Sequence, residues 1–219
     1  MVHATRIFPT GRTFMRRLYD SLSGKRAGHR IRVNQSIRSD LFWWKNNLPA
    51  HTHISMSDVT AGLESASHTV FTDAAGARNC GAAGFWHGHW FFHPWSQQQY
   101  DQFHDNSTWL ELFAVMLAIN TWHHHWKNQV VIIFCDNEPA VADLKTLTSQ
   151  LPHLMNLLRV IARRRILHSN VKILPLHIST EDNEIADSIS RLQWNRLDKI
   201  KAQKPFSMLS NPDNSQYPL

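Results

Sequence analysis

The periodicity of apolar positions changes part-way along the chain. In the first third it is helical. Phe14, Leu18 and Leu22 recur among Arg16, Arg17 and Asp20, which predicts a helix over 12–22 that the stretch SGKRAG breaks. Ile37, Leu41, Trp44 and Leu48 form a second stripe, with Asn34 or Ser36 as its cap and Pro49 as its stop. Residues 50–66 show no period and read as a connection. From His68 the alternation is that of strands. HTVFTD predicts a strand near 68–74, and GAAGFW and HWFFHPW predict two more, 81–87 and 89–94, joined by a tight turn at His87-Gly88. Polar residues 96–106 read as a loop. Leu112, Val115, Met116 and Ile119 mark one side of a long helix over 108–126. VVIIFC, 130–135, is a fourth strand, and a short helix starts near Pro139, a residue suited to a first turn. A further helix spans 152–167, VKILPLH (171–177) is a fifth strand, and a last helix covers 182–191. The tail after Lys199 holds three prolines and is expected to be loosely ordered.

Three strands joined by short turns predict an antiparallel meander. Later strands separated by helices predict parallel crossovers. The expectation is an α/β fold with a mixed five-stranded sheet flanked by helices, preceded by a small helical segment. The boundaries follow: a helical segment 1–50, a linker 51–66, the α/β domain 67–195 and a tail 196–219.

Composition narrows the class. The chain has 219 residues, 42% of them hydrophobic, enough for one substantial core. Two cysteines without a CxxC pair argue against a disulfide framework or a cysteine zinc site and favour an intracellular setting. No stretch is apolar for long enough to span a bilayer, so no membrane partner is expected. The net charge of +6 favours a polyanionic partner.

Four carboxylates stand at the ends of predicted elements. Asp73 closes the first strand, Glu111 lies early in the long helix, Asp136 ends the fourth strand, and Asp187 sits on the last helix. Each has an ordinary reading: a turn residue, a capping box with Thr108, a cap for the helix at Pro139, and a solvated helix position. Together they suggest more. If the first and fourth strands are neighbours, Asp73 and Asp136 lie side by side, and a helix across the sheet brings Glu111 to them. No lysine or arginine adjoins these residues in sequence, so the pKa values of such a cluster rise unless a cation sits among them. Oxygen ligands alone favour Mg²⁺, with Mn²⁺ as substitute. Two such ions about 3.5–4 Å apart suit displacement at a phosphodiester.

At these residues the chain resembles a known family. FTDAAG, WLELFAV, CDNEPAV and HISTEDNEIADSISR resemble, in order, the motifs of the ribonuclease H domain of retroelement reverse transcriptases, above all those of DIRS-like tyrosine-recombinase elements. The likeness covers about residues 68–192. Residues 11–48 look like the segment that joins polymerase to ribonuclease H in such elements, and no Y-x-D-D polymerase motif occurs. The resemblance implies a ribonuclease H-like fold and a metal-binding set of Asp73, Glu111, Asp136 and Asp187. It implies a mobile histidine at His177 and motif asparagines at Asn137 and Asn183, and two Mg²⁺ ions. It further implies an RNA–DNA hybrid as substrate and the polymerase part of a reverse transcriptase as partner. Two departures stand out: Ala75 where the family often has Ser, and Ser179-Thr180 where it usually has Pro-Gly.

Other candidates come from the residues alone. Arg163-Arg164-Arg165 either grip phosphates or form a solvated helix face, with Arg159 on the same side as Arg163; Arg16 and Arg17 are similar. His123-His124-His125 point about 100° apart on a helix and do not converge on an ion. His87, His89 and His93 alternate around the hairpin and read as surface. Trp86, Trp90, Phe91, Phe92 and Trp95 serve either base stacking or the sheet core. Two further functions stay open: a ribonuclease H-like module that binds without cutting, and a DNA nuclease or integrase on the same fold.

Overall fold

The computed structural model describes residues 9–26, 28–47, 66–164 and 171–203. The calls on Leu48, Pro49, the linker 51–65, residues 165–170 and the tail beyond residue 203 fall outside the described residues. Among those described, no helix is long and apolar enough to cross a membrane.

The core is a sheet of five strands, β1 (Ala66–Ala74), β2 (Gly81–Trp86), β3 (His89–Pro94), β4 (Val130–Cys135) and β5 (Lys172–His177), in the order β3-β2-β1-β4-β5. The first three form the predicted meander, and β4 runs parallel to both β1 and β5. This is the mixed α/β sheet of a ribonuclease H-like fold. His87 and Gly88 both have positive φ, 47° and 84°, as a two-residue turn of mirror-image type requires.

Helices cover the sheet. After a 3-10 turn (Pro9–Phe14) come α1 (Arg16–Leu22) and α2 (Gln35–Asn47); α3 (Gln97–Phe103), α4 (Ser107–Trp122), α5 (Glu138–Thr146) and α6 (Pro152–Arg164) follow; α7 (Glu184–Ser190) and α8 (Trp194–Gln203) close the described chain. Every residue of β2 is buried. Its Ala82 belongs to the core that α4 and α6 build, whereas Ala83 packs with Ile189 of α7 and Leu197 of α8. Small side chains at these positions let helices approach both faces of the strand. Helix α4 is buried nearly all round, not on one stripe, because α6 covers its outer side.

Four expectations need correction. Residues 96–106 are not all loop: Ser96 and Gln99 form a capping box that starts α3, and Phe103 stacks on Trp109 with ring centres 3.8 Å apart. The long helix starts at Ser107 and gives way to a 3-10 turn over the three histidines and Trp126. The tail does not begin at residue 196: Leu197 and Ile200, one turn apart, bury one side of α8. The first helix starts at Arg16, after the 3-10 turn, and Leu22 is exposed.

The N-terminal helices dock on α6. Phe14 stacks on Trp43 at 3.8 Å, and both pack with Trp44 and Ala162. Thr13 Oγ1 donates to the carbonyl of Leu147 at 2.9 Å. Asn34 caps α2 through the Ile37 N–H. The stripe of α2 is not purely apolar: Asp40 is fully buried on it, and Leu41 is exposed. Arg17 and Arg159 reach Asp40 Oδ1 at 3.3 and 3.6 Å.

Candidate functional site

The site forms where β1 and β4 end side by side. Phe71 pairs with Phe134 in their parallel register, so two residues further on Asp73, still paired with Ala83 of β2, comes beside Asp136, which has just left β4. Apolar residues hold both strands to that point, with Val70, Val131 and Ile133 fully buried. Helix α4 supplies Glu111. Asn106 caps this helix by accepting from the Trp109 N–H at 2.9 Å, so the capping-box reading through Thr108 does not hold. Gly76, three residues past Asp73, lets the end of α3 and the first turn of α4 come close: a Cβ there meets the carbonyl oxygen of His104 at 2.5 Å and Leu110 Cδ1 at 3.1 Å.

Asp73, Glu111 and Asp136 each offer a carboxylate oxygen within 4.8 Å of the other two. Among the described residues this is the one group of three acidic, histidine or cysteine side chains with that spacing. The histidines do not form a second. His124 and His125 have ring centres 3.9 Å apart on the 3-10 turn, while His68, His89 and His125 pack around Trp86. Trp86 and Phe91 belong to the core, so packing takes the aromatic run there, with Trp90, Phe92 and Trp95 half-buried beside it.

Burial dominates the electrostatics. It pushes the Asp73 carboxyl up to about 7, with the charges of Asp136 and Asp187 adding and the Ser190 hydroxyl opposing. Glu111 is raised well above its usual range by burial first, then by Asp73 and Asp136. The Ala74 N–H donates to Glu111 Oε1 at 2.9 Å, and the Cys135 thiol lies 3.5 Å from Oε2. Burial raises that thiol too, so it stays protonated as a donor.

Around Asp136 the residues Ser179 and Thr180 hold the turn that follows β5. Thr180 Oγ1 donates to Asp136 Oδ2 at 2.8 Å. Ser179 Oγ donates to Asp182 Oδ2 and accepts from the Asp182 N–H, which closes the turn without glycine. Exposed at the end of β5, His177 places Nε2 3.3 Å from the Asp136 carbonyl oxygen. The cap of α5 is Asn137, not Asp136: Asn137 Oδ1 accepts from the Ala140 N–H at 2.9 Å, and its Nδ2 donates to Ser107 Oγ.

Asp187 departs from the expected set. It is buried on α7, but its oxygens do not join the group of three. Arg191 Nε donates to Oδ1 at 2.5 Å, and Arg196 Nη1 bonds Oδ2. The expectation that nothing in the chain neutralises the carboxylates is therefore corrected: Arg191 lies one turn on, and Arg196 returns from α8. Ser190 Oγ bonds Asp73 Oδ2, which ties the same helix to the group of three. Asn183 is 1% exposed and its Nδ2 donates to the Thr72 carbonyl at 2.9 Å. It anchors α7 to β1 rather than facing nucleic acid.

The basic candidates lie elsewhere. Arg163 sets its guanidinium 5.8 Å from the centre of the Phe14 ring, Arg159 is buried against Asp40, and Arg16 pairs with Asp20. Arg164 closes α6; its side chain, like Arg165, falls outside the described residues. Sequence reasoning passed over Ser190, Arg191 and Cys135, all inside the quoted motifs, and marked Thr180 only as a departure, without its bond to Asp136. Arg196 had no signal, because a turn with Leu192 at φ 55° separates it from α7.

No protein-family model matches this chain, and no curated protein matches it significantly.

Proposed function

We propose that the chain is a metal-dependent endoribonuclease of the ribonuclease H type, hydrolysing the RNA strand of RNA–DNA hybrids as part of a retroelement reverse transcriptase. The observation that carries this reading is the convergence of Asp73, Glu111 and Asp136, from two adjacent strands and a helix, within 4.8 Å in a chain of charge +6. The donors fit a hard divalent cation: all are carboxylate oxygens, and two carry raised pKa values that a cation would bring down. Asp73, Glu111 and Asp136 would hold Mg²⁺ or Mn²⁺, with Asp187 as a fourth ligand once freed from its arginines. Ions held there would supply the charge that activates water and stabilises the leaving oxygen.

The chain's own groups do the rest. Thr180 and the cap at Asn137 fix Asp136 and the strand end that carries it. His177 stands at the open side, where it can exchange a proton with product and solvent. Selection of RNA rests on shape and on 2′-hydroxyl contacts in a wide minor groove. The polymerase part of the reverse transcriptase is the expected partner. One observation favours a second reading, a module that binds hybrid without cutting it: both oxygens of Asp187 are already paired.

The test uses labelled RNA–DNA hybrid, duplex RNA and duplex DNA, each with and without Mg²⁺. Cleavage of the hybrid alone, dependent on Mg²⁺, is expected. Asp136→Asn should keep the fold and lower the rate by about a hundredfold or more. Unchanged cleavage in that variant removes the assignment, and tight hybrid binding without cleavage by the unaltered chain establishes the second reading.

A further inference from the structure

We infer that Arg191 and Arg196 latch Asp187 and so keep a second divalent ion weakly bound until phosphates of the nucleic acid draw the two guanidinium groups away. The inference rests on the metal reading above and adds a control to it.

The geometry is asymmetric. The Asp187 side chain is 5% exposed and each of its oxygens has an arginine partner, whereas the Arg191 and Arg196 side chains are 44% and 40% exposed. Water and solutes therefore reach the cations and not the carboxylate. Arg191 comes from the end of α7. Arg196 comes from α8, brought back by the turn in which the Gln193 N–H donates to the Ser188 carbonyl at 2.8 Å. Both side chains can swing outward while Ala186, Ile189 and Leu197 stay buried, so opening the latch leaves the helices in place.

The chemistry gives direction to that motion. A carboxylate held by two guanidinium groups offers little attraction to a further cation. Phosphate is the natural competitor for guanidinium, because its oxygens match the same fork of N–H donors. Nucleic acid at the site thus frees Asp187 at the moment its phosphates add negative charge. By linkage, the second ion and the substrate must then strengthen each other's binding. The Ser190 bond to Asp73 places the latch directly beside the carboxylates of the first ion. Without nucleic acid, the chain should hold one ion well and a second poorly.

Titration calorimetry of the full chain with MgCl₂, without nucleic acid, reads this directly. Arg196→Ala should lower the dissociation constant of the second ion about tenfold, the scale of one partly screened charge, and leave the first unchanged. Arg196→Lys keeps the charge and should stay within about threefold of the unaltered chain. A hybrid with a 2′-O-methylated, uncleavable RNA strand should tighten the second ion in the unaltered chain and much less in Arg196→Ala. Loss of packing alone would lower thermal stability without any gain in ion affinity. A second ion bound no more tightly in Arg196→Ala overturns the latch and leaves the metal site standing. If the unaltered chain binds no ion, or Asp73→Asn binds as the unaltered chain does, the metal reading fails and the latch with it.

Discussion

Asp40 and Asp73 are both buried carboxylates, yet the molecule treats them differently. Asp40 sits on α2 where the N-terminal helices meet α6, and Arg159 and Arg17 face it. Burial raises its carboxyl, and the arginines are what pull it back. Asp73 sits at the end of β1. Beside it stand two more carboxylates and the Ser190 hydroxyl, with Arg191 only a minor influence. The first arrangement finds its counter-charges within the chain, although Asp40 Oδ2 and Arg159 Nε make no hydrogen bond. The second is completed by a proton or by a cation from solution. A buried acid whose counter-charge is enclosed with it, as Arg159 is with Asp40, therefore reads as structure, and one without an enclosed counter-charge reads as a site.

The comparison breaks most sharply at Asp40. Arg159→Ala leaves that carboxylate buried with only half-exposed Arg17, and should cost about 3–5 kcal/mol in denaturant unfolding. The paired replacement Asp40→Leu with Arg159→Met should recover most of that loss, because an apolar pair needs no counter-charge. A small effect of Arg159→Ala would mean that the N-terminal helices contribute little to the fold.

At Asp73 the same logic gives a pH dependence. Its carboxyl lies at about 7 in the folded chain against 3.8 unfolded, so folding favours the protonated form. The stability this gives is complete below 3.8 and is lost as pH rises through about 7. In chelator the protein should lose on the order of 2–4 kcal/mol between those limits, and Glu111 pushes in the same direction. Asp73→Asn should flatten the slope. Millimolar Mg²⁺ should reverse it above neutrality. Thermal melts across pH, with and without Mg²⁺, check all three. A flat profile in chelator would place Asp73 in water rather than in a buried group.

Asn183 tests how α7 is held. Asn183→Ala removes the bond to the Thr72 carbonyl and leaves that oxygen buried, which should cost about 1–3 kcal/mol. Hybrid affinity, measured where the variant is folded, should not change, because the side chain is enclosed. A loss of affinity with stability intact would restore direct contact with nucleic acid.

The strands were legible because their signal is local. Alternation, a His-Gly turn and apolar runs ending in Asp placed all five, whereas the pairing of β1 with β4 was a condition that only the sheet order supplied. Asp73, Glu111 and Asp136 met as expected for the same reason: each is fixed by the element it terminates or begins. What stayed hidden depends on partners distant in sequence. Asp40 looks like a polar interruption of α2 until Arg159 is set against it. Asp187 looks like Asp73 until Arg196 returns from α8. The helix α3 is written in polar residues, and its one local sign, the Ser96–Gln99 box, sits in a stretch that otherwise reads as loop.

The smallest effect belongs to the pair that most resembles an interaction on paper. Arg16 Nε lies 3.0 Å from Asp20 Oδ1 at helical i,i+4 spacing, closer than either arginine comes to Asp40. Its side chains are 37% and 56% exposed. Water and salt therefore compete for both charges, and holding two long side chains in one geometry costs entropy. Arg16→Ala should change unfolding free energy by less than about 0.5 kcal/mol, and 0.5 M salt should erase the difference. A loss comparable to that of Arg159→Ala would show that distance, not enclosure, sets the strength of an ion pair here, and the contrast between Asp40 and Asp73 would lose its basis.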